Sequence, residues 1–129
     1  MILIIDNYDS FTYNIYQLLA KLTKEEIRVI RSRETTVNEL AAMNPSRVIV
    51  SPGPGRPEDA GISVEAIKYF AGKVPVLGIC LGHQAIGYAF GAKIVQAKFI
   101  KHGIAEKINL DGKGLFRFIG TNAVFTRYH

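Results

Sequence analysis

The feature that most constrains the fold is a short motif around the only cysteine of the chain, where residues 78–82 read Gly-Ile-Cys-Leu-Gly. An apolar run at residues 74–77 precedes the motif, and residues 84–90 follow it with a helical pattern. This order is typical of a nucleophile elbow, a sharp turn between a buried parallel strand and a helix. The two glycines fit such a turn because its crowded backbone leaves no room for Cβ atoms beside the nucleophile.

The position of Cys80 at the start of a helix has a chemical consequence. The positive end of the helix dipole would lower the pKa of the thiol and favour the thiolate. A buried structural cysteine is the alternative interpretation, because free cysteines are often buried in protein interiors. Since two glycines and a strand-turn-helix context accompany Cys80, we interpret it as a nucleophile.

Apolar strands alternate with amphipathic helices through most of the chain. Strands are predicted at residues 2–5, 26–30, 47–50 and 74–77, and helices at residues 11–22, 37–43, 63–70 and 84–90. This alternation predicts an open, mostly parallel, doubly wound α/β sheet of the Rossmann or flavodoxin-like kind, with helices on both faces. From residue 92 the pattern changes, and short alternating runs at residues 104–110 and 123–128 predict antiparallel strands.

The helices carry more detailed expectations about caps and buried faces. Ser10 is predicted to cap the first helix and Thr36 the second. The side chains expected to be buried at helical spacing are Phe11, Ile15, Leu18 and Leu19 in the first helix, and Ile86, Ala89 and Phe90 in the last.

Composition and charge exclude several classes of protein. At 129 residues and 48% hydrophobic, we expect one soluble domain, and the single cysteine fits a reducing cytoplasm. No apolar run has the length of a membrane span, and Asp6 and Asp9 interrupt the apolar N-terminus too early for a signal peptide. The net charge of +5 comes from residues 93–129, which hold seven basic and two acidic residues. Because no nucleic-acid motif accompanies these charges, we expect a solvated surface or a face for an acidic partner.

Three polar or glycine-rich segments follow predicted strands, at residues 6–14, 51–61 and 80–84. Parallel sheets place their sites beyond the carboxyl ends of the strands, so these segments are expected to converge. Residues 51–57 read Ser-Pro-Gly-Pro-Gly-Arg-Pro, a rigid loop whose exposed N–H groups would stabilise the oxyanion of a thioester reaction. An ordinary structural turn is the alternative interpretation of this loop. A second oxyanion donor would be the amide of Leu81.

A cysteine nucleophile also needs a base, and none of the three histidines is convincing. His83 lies on the helix of the elbow, where a structural role is expected because a triad base normally comes from elsewhere in the fold. His102 lies in the basic C-terminal stretch with no visible carboxylate partner, and His129 is the last residue. The residues themselves therefore indicate a nucleophile and an oxyanion loop without an identified base.

These motifs closely resemble those of the class I, or triad, glutamine amidotransferases. Residues 78–84 are similar to the nucleophile signature of that family. Residues 6–14, which read Asp-Asn-Tyr-Asp-Ser-Phe-Thr-Tyr-Asn, and residues 51–55 narrow the resemblance. Together they resemble the glutaminase component of anthranilate synthase or of aminodeoxychorismate (para-aminobenzoate) synthase, over essentially the whole chain.

The resemblance implies a role for each matched residue. Cys80 would attack the side-chain amide of L-glutamine and form a γ-glutamyl thioester, with Gly53 and Leu81 supplying oxyanion-hole amides. The residues lining the glutamine site would be Gly53, Pro54, Gly55, Leu81 and Gln84. No metal or cofactor is implied. Ammonia would pass to a larger synthase subunit that aminates chorismate, in a heteromer, and residues 6–11 with the loop after Gly55 would face that partner.

The chain also departs from the family pattern. In these proteins a His-x-Glu motif carrying the catalytic base lies beyond the position of His129, and Ile104 occupies a position where lysine is usual. We therefore expect residues 1–129 to be a single amidotransferase domain, incomplete at its C-terminus, that lacks the last strands and has little activity alone. Two further hypotheses remain, a flavodoxin-like nucleotide or flavin binder and a non-catalytic module that docks on a synthase subunit.

Overall fold

The computed structural model describes residues 1–129, which divide into two compact units, Met1–Ile94 and Val95–His129. The first unit contains four strands, β1 (Ile2–Asp6), β2 (Ile27–Arg31), β3 (Arg47–Val50) and β4 (Val76–Gly78). Its helices are α1 (Thr12–Leu22), α2 (Val37–Ala42), α3 (Ser63–Phe70) and α4 (Leu81–Ala89). The second unit contains strands β5 (Ile104–Asn109) and β6 (Asn122–Arg127). That residues 1–129 form a single domain stays a prediction.

The four strands of the first unit form one parallel sheet in the order β2-β1-β3-β4. Ile4 of β1 lies between Val29 of β2 and Ile49 of β3, and Val50 of β3 is aligned with Gly78 of β4. The carboxyl ends of neighbouring strands therefore lie along one edge of the sheet. The segments after β1, β3 and β4 start from this edge, as the sequence predicts.

Strand β1 is central to the core, and all five of its residues are buried. Leu3 and Ile5 belong to a cluster on one face of the sheet, where α2, α3 and α4 contribute Leu40, Ile67 and Ala85. Ile2 and Ile4 belong to a second cluster, on the face where α1 contributes Ile15 and Leu19. Helices thus cover both faces, and the predicted doubly wound α/β sheet is confirmed.

Two details of α1 differ from the sequence prediction. Ser10 does not cap the helix; instead the Asp9 carboxylate accepts a hydrogen bond from the amide of Phe11 at 2.8 Å, and the helix begins at Thr12. Phe11 is 51% exposed and Leu18 is 60% exposed, although both were expected to be buried. Only the stripe that holds Ile15 and Leu19 faces the sheet, and Leu18 lies outside that stripe.

The remaining helix predictions are largely confirmed. Thr36 caps α2 through a capping box in which its hydroxyl accepts from the amide of Glu39 at 3.3 Å, while the Glu39 carboxylate accepts from the amide of Thr36 at 2.7 Å. Helix α4 begins directly after Cys80, three residues earlier than predicted, because the elbow continues into it without a loop. Its residues Ile86 and Ala89 pack on the core, whereas Phe90 is exposed, contrary to expectation.

In the second unit, β5 and β6 form the predicted antiparallel pair, with Ile108 aligned with Ala123. The carboxylate of Glu106 accepts hydrogen bonds from Lys101 and from Arg127, the latter at 2.6 Å. Both basic side chains and the carboxylate are partly buried, so this ion-pair cluster ties the two strands together. None of the helices in either unit combines the length and apolar character that a membrane span requires.

Candidate functional site

Cys80 lies at a sharp turn between β4 and α4, with φ +55° and ψ −109°. A positive φ is uncommon for a residue with a side chain and indicates a backbone held in place by its surroundings. Three backbone hydrogen bonds do this. Ile79 donates to the Val50 carbonyl, Gly82 donates to the Ile79 carbonyl, and Gln84 donates to the Cys80 carbonyl, each at 3.0 Å. The predicted elbow is therefore present.

The two glycines of the motif are required by close contacts. A Cβ atom at Gly78 would lie 2.4 Å from the backbone carbon and oxygen of Gly82, well inside any allowed contact. A Cβ atom at Gly82 would collide with the backbone of β3 in the same way. The backbones of β3, β4 and α4 approach so closely here that neither position can hold a side chain. This close approach is the physical reason for the two glycines of the Gly-x-Cys-x-Gly motif.

The loop at residues 51–55 approaches the elbow through Gly53, and Gly53 is buried. A Cβ atom there would lie 2.5 Å from Cβ of Asn7 and 2.9 Å from Cδ2 of Leu81. The Gly53 amide donates to no backbone carbonyl. The structure thus brings Gly53 and Leu81 together beside Cys80, whereas their use as oxyanion donors stays a prediction.

The expectation of a low thiol pKa is wrong for this structure. Burial raises the pKa of Cys80 above its ordinary value, and the Asp9 carboxylate raises that pKa further because it opposes the thiolate charge. A hydrogen bond from the Leu81 amide lowers the same pKa, as expected at a helix N-terminus, but it does not outweigh burial. The protonated thiol is therefore favoured until a group that removes its proton is present.

The other residues expected to line the substrate site differ in their surroundings. Gln84 is half-buried in the first turn of α4. Gly55 is exposed, and its φ of +76° explains why a glycine occupies that position. Pro54 lines a cleft of about 390 Å³ together with Leu81. The other residues around this cleft are Asn7, Tyr8, Ser32, Arg33, Asp59 and Ala60.

Sequence reasoning missed Ser32 and Arg33, which follow the carboxyl end of β2. Arg33 donates to the Asp59 carbonyl at 2.8 Å across the cleft. The hydroxyl of Ser32 is buried and has no hydrogen-bond partner. The available signal was topological, because the segment after β2 reaches the same sheet edge as the three predicted segments.

Sequence reasoning also missed the roles of Asp6 and Asn7 at the end of β1. The Asp6 carboxylate accepts from the amides of Tyr8 and Asp9 at 3.0 and 3.3 Å, and from the hydroxyl of Thr12 at 2.8 Å. It therefore fixes the turn that leads into α1. Asn7 links this turn to the loop that contains Gly53, through contacts with Ser51. Both residues are buried polar side chains, for which hydrogen bonding is the general rule.

Whether any of the three histidines could serve as a base stays a prediction. His83 is exposed on α4. In the second unit, a ring nitrogen of His102 lies 3.2 Å from the Tyr128 carbonyl oxygen, and the His102 ring stacks edge-on against Tyr128 at 5.3 Å. Burial, the Leu81 amide and the Asp9 carboxylate are the influences that act on the Cys80 thiol. No group of three or more His, Cys, Asp or Glu side chains is arranged to hold a metal ion.

Comparison with known proteins gives a consistent result. The family model described as Glutamine amidotransferase class-I matches residues 3–129. The bifunctional protein TrpGD of Thermotoga maritima is 54% identical over 99% of this chain and 22% of its own length. Anthranilate synthase component 2 of Pseudomonas putida is 48% identical over 100% of this chain and 65% of its own length. Aminodeoxychorismate/anthranilate synthase component 2 of Bacillus subtilis is 50% identical, over 100% and 66% respectively.

A solved structure supports the fold. The crystal structure of a protein described as part of a GMP synthase, from Thermoplasma acidophilum, superposes with a TM-score of 0.82 at 23% identity, over 99% of this chain and 63% of that chain. At this level of identity the likeness concerns the fold alone. The chain spans about two thirds or less of the length of the curated relatives named above. On the family match and these identities, the chain belongs to the class I glutamine amidotransferase family.

Proposed function

We propose that this chain is the glutamine-hydrolysing part of a cytoplasmic synthase that aminates chorismate. One observation carries the proposal, which is the elbow that presents Cys80 at φ +55° with Gly53 packed against Leu81 beside it. The relatives named component 2 of anthranilate and aminodeoxychorismate synthases support the choice of acceptor. These names correspond to two products, anthranilate and aminodeoxychorismate, and the proposal covers both.

The proposed reaction has two stages. The sulfur of Cys80 attacks the side-chain amide carbon of L-glutamine, so a C–S bond forms and the carbonyl electron pair moves onto oxygen. The amides of Gly53 and Leu81 would stabilise that oxyanion. The C–N bond then breaks, the nitrogen takes up the proton released by the thiol, and ammonia leaves a γ-glutamyl thioester. Water hydrolyses the thioester to glutamate and restores the thiol.

The sheet edge around Cys80 is the proposed docking side for the synthase subunit. Tyr8 and Phe11 are 43% and 51% exposed at this edge. Exposed aromatic side chains are characteristic of protein–protein interfaces. The subunit that receives ammonia would then face residues 6–11 and the loop after Gly55. Ammonia would therefore travel only a short distance between the two subunits.

Ammonia release tests the proposal directly. It is to be measured for the 129-residue chain and for the complete product of its gene, each with and without a chorismate-aminating subunit, with Cys80→Ala as the control. We expect Cys80-dependent release by the complete product and much less by residues 1–129 alone. The reason is that the raised thiol pKa requires a group that removes the proton, and the influences on that pKa are burial, the Leu81 amide and the Asp9 carboxylate.

Two results would contradict these expectations separately. Cys80-dependent turnover by residues 1–129 alone would show that a base is supplied within them, and the expected lack of activity would be wrong. A complete gene product that binds a synthase subunit yet releases no ammonia would contradict the glutaminase function.

That second result would instead favour a non-catalytic module that docks on a synthase subunit. The feature favouring this alternative is the partial burial of Cys80, which raises the pKa of its thiol and so opposes formation of the nucleophilic thiolate. Co-purification with the subunit, unaffected by Cys80→Ala and without ammonia release, is the result that would establish docking alone. A lack of any binding would exclude both functions.

A further inference from the structure

Asn7 lies at the carboxyl end of β1 and is only 4% exposed. Its side-chain nitrogen donates to the Ser51 carbonyl at 3.1 Å, and its side-chain oxygen accepts from the Ser63 hydroxyl at 2.7 Å. Its backbone amide donates to the Ser51 hydroxyl at 2.9 Å, which in turn donates to the Pro52 carbonyl at 2.6 Å. One residue therefore joins the end of β1 to the loop after β3 and to the first turn of α3.

The same residue forms one wall of the slot that holds Gly53. A Cβ atom at Gly53 would lie 2.5 Å from Cβ of Asn7, 2.7 Å from the Asn7 carbonyl oxygen and 2.9 Å from Cδ2 of Leu81. Close contacts with Asn7 and with Leu81 thus restrict the position of the Gly53 backbone relative to the elbow. Leu81 directly follows Cys80 and begins α4, so it belongs to the elbow itself.

We propose that Asn7 is a positioning residue that holds the Gly53 amide against the elbow, so that this amide meets the oxyanion formed at Cys80. The inference rests on the proposed glutaminase function and extends it to a residue that does not touch the thiol. An asparagine is required because the side chain donates to a carbonyl and accepts from a hydroxyl at the same time. An aspartate has the same shape and still accepts from Ser63, but it cannot donate to the Ser51 carbonyl.

The test uses Asn7→Asp in the complete gene product, with Asn38→Asp as the matched control. Asn38 is exposed on α2, where the same chemical change touches none of these contacts. An oxyanion donor acts in the transition state, so we expect Asn7→Asp to lower kcat for ammonia release by roughly 10- to 100-fold, with little change in KM. Alkylation of Cys80 by iodoacetamide forms no oxyanion and should stay within about twofold of the wild type.

Three results would overturn the proposal. One is an unchanged kcat, and another is an equal loss of kcat and of alkylation rate, which would show general disruption of the elbow. The third result comes from amide hydrogen exchange, which does not depend on catalysis. We expect Asn7→Asp to speed exchange of the Asn7 and Ser51 amides by at least about tenfold, through loosening of the loop. Unchanged exchange would refute the positioning role.

If the wild type itself releases no ammonia, the proposed function fails. Hydrogen exchange still tests the positioning role of Asn7 in that case. Faster exchange confined to the amides of residues 7, 51, 53 and 55 would then support the role of Asn7 in positioning the loop. Exchange that matches the Asn38→Asp control would overturn it.

Discussion

Gly82 of α4 lies so close to Val50 of β3 that a Cβ atom on the glycine would be 2.2 Å from the Val50 carbonyl oxygen. That carbonyl already accepts the amide of Ile79 at 3.0 Å. The helix can begin at the sheet edge, directly after Cys80, because no side chain separates its first turn from β3.

Gly82→Ala should therefore displace α4 from the sheet. We expect a loss of roughly 3 kcal/mol or more in the free energy of unfolding, as is typical of overpacking against rigid backbone. Urea unfolding followed by circular dichroism measures the loss. Gly87→Ala in the same helix is the matched control, because its Cβ atom would meet only Ala92 and Ile94 at 3.5 and 3.6 Å. That change should be neutral or stabilise by up to about 1 kcal/mol; equal losses in both variants would contradict the close-contact explanation.

Asp9→Asn should lower the pKa of Cys80. The carboxylate opposes the thiolate, so its removal makes deprotonation easier, while asparagine still accepts the hydrogen bond from the Phe11 amide. We expect a faster reaction with iodoacetamide at neutral pH and a pH–rate curve displaced to lower pH, measured by mass spectrometry of the alkylated chain. Glu65→Gln, which makes the same charge change on an exposed position of α3, should leave the curve in place. A curve that does not move in Asp9→Asn would exclude Asp9 as an influence on the thiol.

Two buried serines should respond differently to alanine substitution. Ser32 is 1% exposed and its hydroxyl has no partner, so Ser32→Ala should be neutral or stabilise by up to about 1 kcal/mol. Ser63 is 0% exposed and its hydroxyl donates to Asn7, so Ser63→Ala should cost about 1–3 kcal/mol by leaving a buried oxygen unpaired. Chemical unfolding of both variants gives the comparison. A clear loss in Ser32→Ala would show that its hydroxyl has a stabilising role.

Glu106 should make the β5–β6 pair sensitive to acid. Hydrogen bonds from Arg127 and Lys101 lower the pKa of Glu106 below its ordinary value of 4.5. A lowered pKa in the folded state means that the contribution is fully present above the ordinary value and is lost as the pH falls through the lowered one. NMR titration of the carboxyl carbon should show the low pKa, and Arg127→Ala should raise it. A carboxyl that titrates at 4.5 in the wild type would rule out this cluster as a source of acid sensitivity.

The sequence by itself determined the order and type of the elements, because apolar periodicity and glycine spacing are local properties of the chain. The alternating strands and helices predicted the parallel sheet, and residues 78–82 predicted the elbow at Cys80. The change of pattern near residue 92 lies close to the boundary between the two units after Ile94. Family membership could also be inferred, since three short motifs in order are highly specific.

The tertiary structure alone decided the quantities that depend on contacts between distant parts of the chain. The raised pKa of Cys80 reflects burial and the negative charge of Asp9. The prediction from the sequence considered only the helix dipole and so included neither influence. The exposure of Phe11 and Leu18 depends on how much of the sheet α1 covers. The links from Asn7 to Ser51 and Ser63 join residues 44 and 56 positions apart, and only the packed sheet edge brings them into hydrogen-bonding distance.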